Sequence, residues 1–251
     1  MSVAPFDEIR VARSLAVRSD LGSRLDEIGQ AISGRIVFTT SFGLEDQALT
    51  HAIFSAAHDI EVVTLDTGRL FPETYDVWAE TEERYERRIT AYAPEADDLA
   101  RLVAARGING VRRAVAARQA CCGTRKPVPL RHALAGAAAW ITGLRAEQSR
   151  HRADVALAAF DEGHGLIKFN PLADWTRRDV ERFVADHRIP YNVLHDRGFP
   201  SIGCAPCTRA VRIGEPERSG RWWWEADNNK ECGLHLRPPV AATAPNGAEA
   251  A

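Results

Sequence analysis

A chain of 251 residues, 45% hydrophobic and 26% charged, is long enough to bury one large α/β core with appendages. Its formal net charge of −2 offers no basic surface for nucleic acid or an anionic membrane. There is no apolar run of bilayer length and no charged-then-apolar leader, so a cytoplasmic location with reduced thiols is expected.

Residues 1–30 read as a helical segment with Leu21, Leu25 and Ile28 on one face. A short apolar run, Ile36–Phe38, leads into a polar turn from Thr39 to Asp46, after which Ala48, Leu49, Ala52 and Ile53 have helical spacing. A second apolar run, Glu61–Leu65, ends in Asp66-Thr67-Gly68-Arg69. A helix is expected from about Glu73 to Arg87, then strands near Arg88–Tyr92 and Ala138–Thr142, the last closing on Gly143-Leu144-Arg145. Strands alternating with helices in this way predict a mostly parallel sheet with helices on both faces. Ligands of such sheets bind beyond the carboxyl ends of the strands, where these polar turns lie. From Lys168 the pattern changes. Thr176-Arg177-Arg178-Asp179 opens a further helix as a capping box, and beyond Pro190 the chain is irregular and expected to fold over the ligand edge. Residues 31–237 thus form the main domain, and the Pro/Ala-rich stretch 238–251 is expected to be disordered.

Five cysteines fall as two, two and one: Cys121 with Cys122, Cys204 with Cys207, and Cys232 alone. Four thiolates complete the shell of a soft metal or an iron–sulfur cluster, and a lone CxxC also suits thioredoxin-like chemistry. Zinc and iron–sulfur are poorly separated at this level, although adjacent cysteines are unusual for a zinc knuckle. The fifth thiol, with Lys230 and His235 near it, is placed to be a nucleophile.

Three strand-end turns suggest a nucleotide. Ser41-Phe42-Gly43 can offer backbone N–H groups and a helix N-terminus to an anion, without the Gly-Lys-Ser/Thr of a Walker loop. Leu65-Asp66-Thr67-Gly68 places a carboxylate for a ribose or base, and Arg145 and Arg150 follow the third strand. Arg125 and Lys126 follow the first cysteine pair, while Arg209, Arg212, Arg218 and Arg221 follow the second. Cations there would offset four thiolates and bind an anionic substrate. Of Trp222, Trp223 and Trp224, at least two are expected to pack rather than stack on a base.

Taken together, Cys121-Cys122-x-x-Arg125-Lys126, Cys204-x-x-Cys207, Gly220-Arg221-Trp222-Trp223-Trp224-Glu225 and Glu231-Cys232-Gly233-Leu234-His235 resemble the assimilatory sulfonucleotide reductases. Within that family they resemble the cluster-bearing adenylyl-sulfate (APS) reductases, whose fold is adenine nucleotide alpha-hydrolase-like. The family's Ser-Gly-Gly-x-Asp-Ser loop has drifted here to Ser41-Phe42-Gly43-Leu44-Glu45-Asp46. The resemblance implies one 4Fe–4S cluster on Cys121, Cys122, Cys204 and Cys207, with Lys126 between cluster and substrate. It also implies sulfate and phosphate contacts from Arg218 and Arg221, with Arg145 or Arg150 as a third cation. Ser41, Phe42, Gly43, Leu65, Asp66, Thr67 and Gly68 would contact the nucleotide, and His235 would assist at Cys232 or at partner docking. Cys232 would attack the sulfate sulfur of APS, with release of AMP, and thioredoxin or a similar dithiol protein would free the sulfite. Cys232 would then need a movable C-terminal segment to serve both partners.

The rival readings are a reductase for the 3′-phosphorylated substrate PAPS or for both substrates, and an ATP pyrophosphatase-type sulfur-transfer enzyme. A third is a non-enzymatic cluster-bearing sensor. The sequence leaves open whether the protein is a homo-oligomer.

Overall fold

In a computed structural model, residues 8–18, 20–225 and 234 are described. Two helices, α1 (Glu8–Ala16) and α2 (Leu21–Ala31), precede the sheet. The Asp20 carboxylate accepts the Ser23 amide at 2.8 Å and so caps α2. Buried Arg24 then pins α2 to the far side of the fold, donating to both carboxylate oxygens of Asp174.

Six strands follow: β1 (Ile36–Thr40), β2 (Glu61–Leu65), β3 (Thr90–Tyr92), β4 (Ala139–Ile141), β5 (Ala158–Asp161) and β6 (Leu166–Phe169). Their spatial order is β3-β2-β1-β4-β6-β5, parallel throughout except for the antiparallel β5–β6 pair. Period-two alternation sorts their side chains onto two faces. Ile36, Phe38, Val62, Ala139 and Ile141 pack in one cluster, with Leu49 and Ile53 of α3 (Leu44–Ser55) and Val77 of α4 (Pro72–Tyr85). On the other face Val37, Val63 and Trp140 pack against Leu130, Ala133 and Leu134 of α7 (Pro127–Leu134). The expected parallel sheet, covered on both faces, is what forms.

The chain order reverses between β1 and β4, so the loops after these strands diverge and leave a crevice at their carboxyl ends. The loops meet closely: a Cβ on Gly143 would lie 2.2 Å from Asp46 Oδ1, so only glycine fits there.

Several element bounds differ from expectation. Helix α4 stops at Tyr85 because Glu86 turns into the left-handed region at φ 51°. Helices α5 (Ala96–Arg106) and α6 (Val115–Arg125) and the β5–β6 hairpin add to the expected elements. Strand β6 is buried on both faces, and Lys168 interrupts its apolar run. That residue is accommodated with its ammonium 4.3 Å from the Trp140 ring centroid and 3.7 Å from Asp161. Helix α8 (Arg177–Asp186) opens with the expected capping box, Thr176 and Asp179 exchanging hydrogen bonds.

Candidate functional site

Two cavities adjoin at the carboxyl edge of the sheet. The larger, about 1300 Å³ including its open mouth, is lined by the ends of β1, β2 and β4 and by residues 200–203 and 217–222. The smaller, about 360 Å³, is lined by all four paired cysteines with Arg69, Arg118 and Lys126. Lys126, between α6 and α7, lines both.

In the larger cavity, the β1 loop contributes Ser41, Phe42 and Gly43, and the β2 loop contributes Leu65 and Thr67. Phe42 sits at φ 58°, where a glycine would be unstrained, and its ring stacks on Trp78 at 5.4 Å. The loop's donors are partly spent internally. Asp46 accepts both the Ser41 amide and hydroxyl at 2.6 Å, and the Thr40 hydroxyl accepts the Phe42 amide at 3.0 Å. Burial pushes the Asp46 carboxyl up to about 6, against the Ser41 hydrogen bonds. Of the N–H groups this turn can offer to an anion, those of Ser41 and Phe42 are already taken by Asp46 and Thr40.

Asp66 and Gly68 are not among the lining residues. Asp66 Oδ1 accepts the Gly68 amide and the Tyr75 hydroxyl, both at 2.8 Å, so it shapes the β2 turn. Neither Arg145 nor Arg150 lines the cavity, which corrects the expected third cation. Arg145 is fully buried and committed to Glu45 at 2.8 Å, Glu147 at 3.0 Å and Glu217 at 3.2 Å. Burial is the largest influence on Glu45 and raises it, but the Arg145 charge, together with hydrogen bonds from the backbone, Arg145 and Gln148, holds that carboxyl below its ordinary value. Arg150 is exposed, and Arg152, two residues on, lines the cavity instead. A single helical turn of the short segment Arg150–Arg152 decides which side chain faces inward, and residue type does not carry that.

Arg218 and Arg221 both line the larger cavity. Arg221 is 6% exposed; it donates to the Ile202 carbonyl at 3.2 Å, while its Nε is buried without a partner. Among the described residues it has no carboxylate within ion-pair distance, so a buried guanidinium faces the cavity uncompensated. Such a group favours an anionic ligand. His195 also lines this cavity and was missed in the sequence. Both of its ring nitrogens are buried without a hydrogen-bond partner, and burial, followed by Arg177, pushes it down to about 4.

The cysteine cavity draws Cys121 and Cys122 from the last turns of α6, and Cys204 and Cys207 from a tight turn at Ala205–Cys207. None of the four is in a disulfide. The Cys207 thiol is pushed up to about 12, by burial first and then by the neighbouring Cys204, Cys122 and Cys121, with Arg221 opposing. Four thiolates there therefore need compensating positive charge. Among the described residues no three His, Cys, Asp or Glu side chains converge as the ligands of one metal ion would. Four thiols lining one cavity are a donor set that suits a soft metal or an iron–sulfur cluster.

The two cavities are bolted together. The Arg125 guanidinium donates to the Thr67 carbonyl, and the Thr67 hydroxyl lies 3.3 Å from Cys204 Sγ. Leu234 packs beside Leu65 and Trp140 at the larger cavity. Cys232 and His235 lie outside the described residues, as does the expected movable segment around Gly233 and Arg237.

Fold and site define an α/β protein with the adenine nucleotide alpha-hydrolase-like fold and a cavity at its strand ends. A phosphoadenylyl-sulfate (PAPS) reductase from Candida auris, solved as a phosphate complex, superposes with a TM-score of 0.69 at 23% identity. That comparison covers 84% of this chain and 99% of that one. The FMN adenylyltransferase of Candida glabrata shares the fold at a TM-score of 0.53 and 13% identity, covering 92% of this chain and 80% of that one. The family model of the phosphoadenosine phosphosulfate reductase domain matches residues 35–210. An adenosine 5′-phosphosulfate reductase from Agrobacterium fabrum is 53% identical, covering 89% of this chain and 87% of the relative. One from Burkholderia cepacia is 44% identical, covering 98% and 96%. The chain belongs to the phosphoadenosine phosphosulfate reductase family, among its adenosine 5′-phosphosulfate reductases. No described helix is long and apolar enough to cross a membrane.

Proposed function

We propose that this protein reduces adenosine 5′-phosphosulfate to sulfite and AMP. The observation that carries the reading is the buried, acid-free Arg221 beside Arg218 at the edge of the strand-end cavity, in a chain 53% identical to APS reductases. Leu65, Thr67 and the Ser41–Gly43 turn would cradle the nucleotide, with the sulfate toward Arg218, Arg221 and Lys126.

The Cys232 thiolate attacks the sulfate sulfur. The bond from that sulfur to the bridging oxygen breaks, AMP leaves with the electron pair, and Cys232 carries an S-sulfonate. A dithiol protein such as thioredoxin then attacks Cys232 Sγ. Sulfite leaves, and the second thiol resolves the mixed disulfide, so the dithiol supplies both electrons. This route uses one redox cysteine of the chain and leaves the other four for ligation. Those four would hold a 4Fe–4S cluster, which when bound places a compact charge beside Lys126. Arg221 would offset part of the charge of the thiolates, as it already does at Cys207.

Sulfite release from APS and from PAPS, in the presence of thioredoxin, tests the assignment. Strong preference for APS is expected, and preference for PAPS would overturn it. Iron and acid-labile sulfide, each near four per chain, are expected of the purified protein; stoichiometric zinc without colour would refute the cluster.

A further inference from the structure

Trp222 stands between the strand-end cavity and the cysteines. It lines the nucleotide cavity and packs in one cluster with Cys207, beside Cys121, Cys122 and Cys204. It is 1% exposed, so nothing of the indole serves solvent. Two guanidiniums lie against its ring. Arg118, a lining residue of the cysteine cavity, has its Cζ 4.7 Å from the ring centroid. Arg221, a lining residue of the nucleotide cavity, has its Cζ at 4.8 Å.

The two cations are not equivalent. Arg118 is neutralised by Glu225, its Nε donating to both carboxylate oxygens at 2.8 and 3.0 Å. Among the described residues Arg221 has no such acid; its partners are the Ile202 carbonyl and the Trp222 indole face. The backbone is committed to the same arrangement. Trp222 holds φ 42°, a conformation that L side chains rarely adopt, and its amide donates to the Cys207 carbonyl at 3.0 Å. Strain of this kind persists only where the surroundings fix it, and it collects at functional sites. The Trp222 indole N–H is buried without a partner, leaving a donor in the partition.

We propose that Trp222 is a positioning residue: it holds Arg221 for the substrate anion and couples that anion to the charge in the cysteine cavity through the Arg118–Trp222–Arg221 contact. This rests on the proposed APS-reductase reading but goes beyond it, since that reading requires only that Arg221 touch the anion. Coupling of this sort is reciprocal. Whatever the cysteine cavity's charge does to anion affinity, a bound anion must do to the group in the cysteine cavity.

The test uses the iron-containing protein with AMP as the probe. AMP affinity is measured by calorimetry, and the visible absorption of the cluster is recorded with and without AMP. Trp222→Phe keeps an aromatic face, and its affinity is expected within about threefold of the parent. Trp222→Leu removes the face and is expected to weaken AMP by about tenfold, within the range of desolvated cation–π contacts. The AMP-induced spectral change is expected to persist in the Phe variant and shrink in the Leu variant. Arg118→Lys keeps the charge and loses the flat guanidinium; it is expected to behave like Trp222→Leu, and it decides the matter if the Leu variant does not fold. Parent-like AMP affinity in the folded Leu variant, or in Arg118→Lys where Leu does not fold, overturns the proposal. So does a Phe variant as weak as the Leu variant, or the absence of any AMP-induced spectral change in the parent. A parent protein that neither binds AMP nor releases sulfite from APS sinks the functional reading instead, and the two failures are thereby distinct.

Discussion

The two cavities are built on opposite plans. The strand-end cavity opens at the ends of three parallel strands, is wide, and is edged by Glu45, Asp46 and Glu217 as well as by arginines. The cysteine cavity owes nothing to strands: it is a small gap between the end of α6 and one tight turn. The first plan offers room at the strand ends; the second offers little room and four thiols. Among the described residues Lys126 lines both, while Thr67 with Cys204 and Trp222 with Cys207 join their walls.

The sharpest way to break this division is to remove the one thiol that belongs to neither plan. Cys232→Ser is expected to lower sulfite release by a factor on the order of 10⁴ or more, as when a nucleophile is lost. AMP affinity and bound iron should be those of the parent. Sulfite production retained in this variant would move the chemistry back to the paired cysteines and erase the distinction between holding and acting.

How legible the two regions are in the sequence also follows from their plans. The strand-end cavity is readable because a parallel strand must be followed by a turn, and turns such as Ser41-Phe42-Gly43 and Leu65–Gly68 stand out after apolar runs. The choice between Arg150 and Arg152 is not readable, because a single turn of helix sets it. Arg145 looks like a substrate cation for the same reason: its three glutamates come from positions 45, 147 and 217, and only the fold brings them together. The cysteine pairs are readable as ligands by type and spacing, whereas their convergence on one cavity comes only from the fold. His195 leaves no periodic or motif signal at all; its significance is that both ring nitrogens are buried without partners.

The next effect in size concerns the enclosed region. Arg118 and Glu225 form an ion pair with side chains 1% and 3% exposed. Glu225→Gln leaves Arg118 charged and buried, which costs about 3 to 5 kcal/mol in comparable pairs. Denaturant unfolding of the iron-containing protein should show that loss, and the double variant Arg118→Met with Glu225→Leu should recover part of it. A single variant as stable as the parent would mean that the cysteine cavity is not closed to water.

In the open region, substitution should damage binding more than stability. A Cβ on Gly203 would lie 2.2 Å from Arg221 Nη2 and 2.4 Å from its Cζ. The end of an arginine side chain can swing away, so Gly203→Ala should fold with a loss of about 1 kcal/mol or less. Displacing Arg221 from the anion should raise KM for APS by roughly 10- to 100-fold, the loss of one charged hydrogen-bonding partner. An unchanged KM would show that Arg221 does not hold the sulfate or phosphate.

The smallest expected effect is a pH dependence confined to the open region. The Asp46 carboxyl, at 3.8 in an ordinary setting, is raised to about 6 by burial. The folded state therefore holds this proton more tightly than the unfolded chain, and the group's contribution to stability falls as pH rises from about 3.8 to about 6. Above that window Asp46 is charged and bound to the Ser41 amide and hydroxyl, at the turn proposed to face the nucleotide. Both acidic groups of APS stay ionised from pH 5 to 8, so the ligand contributes no titration of its own. In the Cys232→Ser background, APS affinity should weaken by about threefold as pH rises through 6, one screened like charge being worth under 1 kcal/mol. Adding Asp46→Asn should flatten that profile, because the amide carries no proton to lose. A slope that survives the substitution would assign the titration to another group and leave the β1 turn electrostatically neutral toward the substrate.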